Sequence, residues 1–143
     1  MKSKIIIIAL LSMFLSPISV SADKHKAKRS GKVGYLKKDR IFQDRTNIYG
    51  REGQYKGYIK RDRIFKDRSY IYNSNGDKKG YLKQDGILRD RTNFYGNDRQ
   101  RKGYLEPDRF FEDRNNIFNK RDNQKGYLKK DSLYKERTNI YGF

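Results

Sequence analysis

Apolar residues recur along this chain at a fixed interval of 23 positions, with no stripe at helical spacing. Gly-Tyr followed by Leu or Ile begins at Gly34, Gly57, Gly80, Gly103 and Gly126. Taking each Gly as position 1, aliphatic-rich columns fall at position 3 (Leu36, Ile59, Leu82, Leu105, Leu128), position 8 (Ile41, Ile64, Ile87, Phe110, Leu133) and position 15 (Ile48, Ile71, Phe94, Ile117, Ile140). Aromatic-rich columns flank them at positions 2, 9 and 16. A period of this length marks a repeat architecture, in which each unit is one supersecondary element. The units span 34–56, 57–79, 80–102, 103–125 and 126–143.

The residue types inside a unit favour β-structure. Tyr, Ile, Phe and Thr suit a pleated surface, and turn residues separate the apolar pairs. Three short strands per unit are predicted: Gly-Tyr-Leu-Lys, Arg-Ile-Phe-x-Asp and Asn-Ile-Tyr. Asp85-Gly86 supplies a hairpin signal between the first two. Positions 3, 8 and 15 are expected in the core and the aromatic columns between units. Such a unit buries too little to fold alone and must stack on its neighbours. The first and fifth copies keep the apolar consensus, where an open stack needs polar caps. The fold expected is therefore all-β: short antiparallel strands closed into a five-fold ring, flower- or propeller-like. An open β-solenoid is the alternative.

Gly57-Tyr58-Ile59, and Asp85-Gly86-Ile87 after Gly80-Tyr81-Leu82, resemble the GYI…DGRI repeats of bacterial secreted proteins known as four-fold or five-fold beta-flowers. The resemblance covers Val33 to Phe143 and departs from that pattern at Arg40, Arg63, Arg109 and Ser132, where the family has Gly. It implies a small symmetric all-β ring and carries no activity with it.

The segment before the repeats has a different composition. Lys2 and Lys4, the apolar run Ile5–Leu15 and the small residues Val20-Ser21-Ala22 form the pattern of a secretory signal peptide, residues 1–22, cleaved near Ala22. The run is too short for a bilayer core, which takes about 20 apolar residues. A detached helix is expected there in the precursor. A basic tail, 23–33, holding the single His25, follows it. The expected address is secreted or periplasmic, with no transmembrane segment in the mature chain.

Charge then narrows the chemistry. The 143 residues carry 35 Lys+Arg against 17 Asp+Glu, a formal net charge of +18. Removing 1–22 takes away two lysines and no acids, leaving +16. No Cys and one His leave no thiol nucleophile, no multi-His metal site and no His-based triad; no cofactor is expected. A basic rim is predicted from Lys37, Lys38, Lys60, Arg61, Lys83, Lys129 and Lys130, at positions 4 and 5. Such a field attracts anions. The expected partners are an anionic glycan, lipopolysaccharide, a lipid surface or extracellular nucleic acid. The bland explanation of the same lysines is solubility.

Three further constellations stand out. Asp or Glu at position 11 precedes Arg at position 12 in every copy: Asp44-Arg45, Asp67-Arg68, Asp90-Arg91, Asp113-Arg114 and Glu136-Arg137. A pair repeated five times reads as structural, each carboxylate accepting from an Arg of its own or the next unit. Glu106, Asp108, Glu112 and Asp113 make the fourth copy unusually acidic, the basis for a hydrolase as the rival reading. Asn73, Asn75 and Asp77 have calcium-loop spacing without its closing Glu, and a hairpin turn explains them better. The function expected is a secreted, non-catalytic repeat module that binds anionic surfaces. A ligand-free scaffold for protein contacts is the alternative.

Overall fold

The computed structural model describes residues 31–143; the expected signal peptide with its detached helix, His25 and most of the basic tail lie outside them. Ten strands follow one another: β1 (Gly31–Lys38), β2 (Arg45–Gly50), β3 (Tyr55–Arg61), β4 (Arg68–Asn73), β5 (Lys78–Gln84), β6 (Thr92–Gly96), β7 (Arg101–Pro107), β8 (Arg114–Asn119), β9 (Gln124–Lys130) and β10 (Arg137–Gly142). Each pairs antiparallel with its neighbours in sequence, and β1 pairs with β10, so the sheet is a closed barrel. That pairing excludes the open solenoid. It also draws Gly31–Val33, expected in the tail, into β1, where Gly31 faces Gly142.

Each repeat contributes two strands, not three. The expected middle strand, Arg-Ile-Phe-x-Asp, is a loop, because the Asp at position 6 folds the chain back before it can extend. Asp39 Oδ1 accepts from the backbone N–H groups of Ile41 (2.8 Å) and Phe42 (2.9 Å). The same two bonds form at Asp62, Asp85, Asp108 and Asp131. Backbone bonds then close the loop: Asp39 N–H to the Arg45 carbonyl (3.1 Å) and Arg45 N–H to the Phe42 carbonyl (2.9 Å).

Strand pleating sorts the columns. Positions 3 and 15 face inward, and these ten side chains, one per strand, form the core; Tyr104, at position 2, is also buried, on the outer face. Position 8 does not join them. Ile41, Ile64, Ile87, Phe110 and Leu133 stand 82–91% exposed at the loop tips, which corrects the expectation that they are core. Within a repeat Leu36 faces Ile48, whereas across the seam Ile59 faces Thr46, two residues along. This offset recurs at each seam and supplies the stagger that closing a sheet requires.

A register shift accompanies each seam, as between Ile48 and Tyr49 opposite β3. There Gly57 adopts φ +144°, and a Cβ on it would strike the Tyr72 carbonyl. Gly86 lies in open space with no such φ, and other copies hold Arg or Ser at that position. Gly57→Ala should therefore cost about 1–3 kcal/mol of unfolding free energy. Gly86→Ala should be neutral or stabilise by about 0.4–1 kcal/mol. Urea denaturation of the two variants measures both.

Candidate functional site

The antiparallel order sends all five position 6–11 loops to one end of the barrel. That end is the candidate site, and three layers build it from the sheet outward.

The first layer is on the outer sheet face. Positions 2 and 16 stack within each repeat: Tyr35 on Tyr49 (5.0 Å), Tyr58 on Tyr72 (4.8 Å), Tyr81 on Tyr95 (4.9 Å), Tyr104 on Phe118 (4.9 Å) and Tyr127 on Tyr141 (4.8 Å). These columns pack inside a unit, where contacts between units were expected. The seam itself is spanned by the position-12 arginine. Arg45 lies over Phe42 of its own loop (4.5 Å) and Tyr58 of the next repeat (4.1 Å). Arg68 takes Phe65 and Tyr81, and Arg114 takes Phe111 and Tyr127. Arg137 takes Tyr134 and Tyr35, closing the ring. Arg91 covers Tyr104 alone (4.1 Å), and its own loop has Leu88 at the clamping position. Glu106 accepts a bond from Arg91 there at 3.1 Å.

Two of the position-11 carboxylates approach basic groups of the following repeat. Asp44 approaches Arg63 at 3.8 Å and Asp113 approaches Lys129 at 3.9 Å. All five position-12 Nε atoms are buried without a hydrogen-bond partner, so the contacts of the guanidinium are mainly with ring faces. Such stacking is worth about 0.5–2 kcal/mol, rising with desolvation. Arg114→Ala and Tyr127→Leu should each lower stability, with a coupling of about 1–2 kcal/mol in the double-mutant cycle. Additive effects would assign the arginine no role at the seam.

The second layer is the position-6 aspartate. Its second oxygen accepts from the Asn at position 14, as for Asp85 with Asn93 and Asp131 with Asn139, both at 2.9 Å. The Leu88 N–H, then Asn93 and the Ile87 N–H, lower the Asp85 carboxyl from its ordinary 3.8 to about 2. Asp131 is held at about 2 by Tyr134, Asn139 and Leu133. In the second repeat Tyr70 replaces the Asn. A carboxyl lowered on folding stabilises the fold above its ordinary value and loses that contribution as pH falls through the folded value. Thermal stability should thus drop between about pH 4 and 2. Carboxyl NMR titration should place the Asp85 and Asp131 midpoints near 2, and Asp85→Ala should weaken the acid dependence.

The third layer is the basic rim. Lys37, Lys60, Lys83 and Lys129 end their strands half-buried on the outer face, and Lys38, Arg61 and Lys130 follow as exposed residues. All seven predicted rim residues emerge at the loop end. Glu106 and Pro107 interrupt the rim in the fourth repeat. Register places like charges opposite each other at four seams: Lys37 with Arg137, Lys60 with Arg45, Lys83 with Arg68 and Lys129 with Arg114.

Comparison with known proteins gives no match. No family model, curated protein or solved structure matches the chain. The site is therefore read from its own geometry.

Sequence reasoning missed the loop tips, the most exposed large apolar residues at this end. The signal was present in the Asp two residues before each tip, whose short acceptor favours a tight turn over a strand. The fourth-repeat carboxylates are engaged separately: Glu106 with Arg91, and Asp108 with Phe110, Phe111 and Asn116. Asn73 closes its hairpin by accepting from the Asn75 and Asp77 N–H groups. Among the described residues no cluster of three or more His, Cys, Asp or Glu side chains is placed to hold a metal. No helix among them is long and apolar enough to cross a membrane.

Proposed function

We propose that this is a secreted, non-catalytic module of the beta-flower type, its five repeats arranged about one axis, which binds anionic surfaces through the basic rim. The leader at 1–22 would deliver it to the secreted or periplasmic space. The observation that carries this reading is the juxtaposition of lysine and arginine across four seams. Like charges directly opposite on neighbouring strands destabilise a sheet. The stabilising alternative exists in the same molecule, where Glu106 replaces the lysine and pairs with Arg91. A fold that keeps the repulsive choice at the other four seams has a use for the positive charge. An anion seated along the rim relieves that repulsion, and so binds more strongly than it would on scattered lysines.

A groove on the barrel flank extends this chemistry. It is lined by Arg68, Tyr70, Lys78, Tyr81, Gly96, Asn97 and Arg99, a set of cations and hydrogen-bonding groups with no carboxylate.

Retention on immobilised heparin measures the rim. Elution should require high salt and shift steeply with ionic strength, because each neutralised anionic group releases counterions. Lys37, Lys60, Lys83 and Lys129 replaced together by Glu should fold and elute at much lower salt. Arg51 and Arg121 replaced by Glu at the opposite end should shift elution less per unit charge. Equal shifts per charge in the two variants would leave a basic protein without a rim site.

A further inference from the structure

The two ends of the barrel carry similar net positive charge but differ in apolar exposure. Of the large hydrophobic side chains exposed among the described residues, only Tyr55 and Phe143 lie at or near the end opposite the loops. The others are the position-8 tips Ile41, Ile64, Ile87, Phe110 and Leu133, and the position-9 residues behind them, which are about half exposed. One tip from every repeat thus surrounds one mouth of the barrel. We propose that this crown inserts into the surface of an anionic phospholipid bilayer, the tips entering the acyl boundary while the basic rim meets the headgroups.

Four observations fit that occupant. Large hydrophobic exposure gathered at one end of a domain, here ten side chains on five neighbouring loops, marks an interaction surface. The tips are solitary aliphatic or aromatic side chains on separate loops, a form suited to a fluid layer that closes around each one. The loops also arrive with the two backbone amides at each tip already paired. Asp39 accepts from the N–H groups of both Ile41 and Phe42, and the other four aspartates do the same for their own tips. Burying the tip in lipid therefore leaves those two amides paired, which lowers the cost of bringing irregular backbone near hydrocarbon. Finally, Lys37, Lys60, Lys83 and Lys129 stand at the strand ends behind the tips. Their long stems allow the ammonium groups to reach headgroup phosphates.

Charge also argues against the main competing occupant. A second copy docked crown to crown would oppose two rims of the same sign. An anionic bilayer complements that sign.

The inference rests on the anionic-surface reading, and its test separates the two. The chain contains no Trp, so Ile87→Trp and Tyr55→Trp place single fluorescent reporters at the crown and the opposite end. With phosphatidylglycerol–phosphatidylcholine vesicles, Ile87→Trp emission should shift to the blue and be quenched by brominated acyl chains. Tyr55→Trp emission should stay unchanged. Because each reporter senses its own depth, the comparison holds in the full chain whatever the N-terminal segment does. Replacing Ile41, Ile64, Phe110 and Leu133 with Ser in the Ile87→Trp chain should raise the vesicle concentration for half the shift at least about tenfold. Heparin elution of that variant should be unaltered, and its circular dichroism should match the parent. Heparin retention with no Ile87→Trp shift would overturn insertion while leaving the rim reading intact. A shift equally strong with pure phosphatidylcholine would overturn the anionic specificity. Crown-dependent dimers in sedimentation without vesicle insertion would make a second copy the occupant, and overturn the proposal.

Discussion

An arginine held against aromatic rings is the interaction on which the rest of the barrel depends. It sits where three requirements meet. Its backbone N–H closes its own loop onto position 9, its guanidinium lies over the ring at that position in four repeats, and it also lies over the position-2 ring of the next repeat. Loop closure, strand start and seam thereby meet at one residue. Arg137 against Tyr35 carries the same contact across the junction of first and last repeats. Closure therefore uses the seam already present between internal repeats. The third repeat shows what the contact is for. Leu88 removes one ring there, and Glu106 arrives on the other side of Arg91 as an ion pair. The guanidinium is held either way, but the exchange costs that seam its lysine.

Closure changes how the charge should be understood. Basic residues commonly protect an exposed sheet edge from pairing with another chain. This barrel pairs β1 with β10 and has no free edge among the described strands. The need for charge as edge protection is correspondingly small. Solubility still benefits from it, yet solubility would be served equally well by lysines spaced away from the arginines. The register instead brings them together at the end that also exposes the apolar tips.

Much of the fold could be read from the 23-residue period. Columns 3 and 15 are core, the sheet is antiparallel, and the ring closes, all of which follow from apolar spacing and the consensus at both ends. Column 8 was misread because composition alone cannot tell a buried isoleucine from one displayed at a loop tip. Both are β-branched and both sit beside an aromatic residue. The deciding feature was local: Asp39, Asp62, Asp85, Asp108 and Asp131 each take two backbone N–H groups and consume the residues of the expected middle strand. The Asp-Arg adjacency drew attention to the carboxylate, whereas the short distances from the arginine run mostly to rings that lie 3 residues back or in the next repeat. Adjacent residues on a strand point to opposite faces, so neighbours in sequence are poor partners and the diagonal contact is hard to foresee. The rim lysines were legible because they end strands that all run the same way.

Repetition gives the loop end a property that no single loop has. One exposed isoleucine and its neighbouring lysines bind any surface weakly, and a mobile loop would lose still more in being ordered. Here the ordering is done in advance, by the aspartate beneath each tip and by the arginine that clamps the position-9 ring in four of the five loops. Five such loops on one closed sheet then meet a partner together, so that the first contact raises the effective concentration of the other four. That advantage exists only for a partner broad enough to cover the barrel mouth. A small ligand would meet one loop at a time and gain nothing from the ring. On the proposed reading, an extended anionic surface would meet all of them, and the rigidity invested in each tip would be repaid only there.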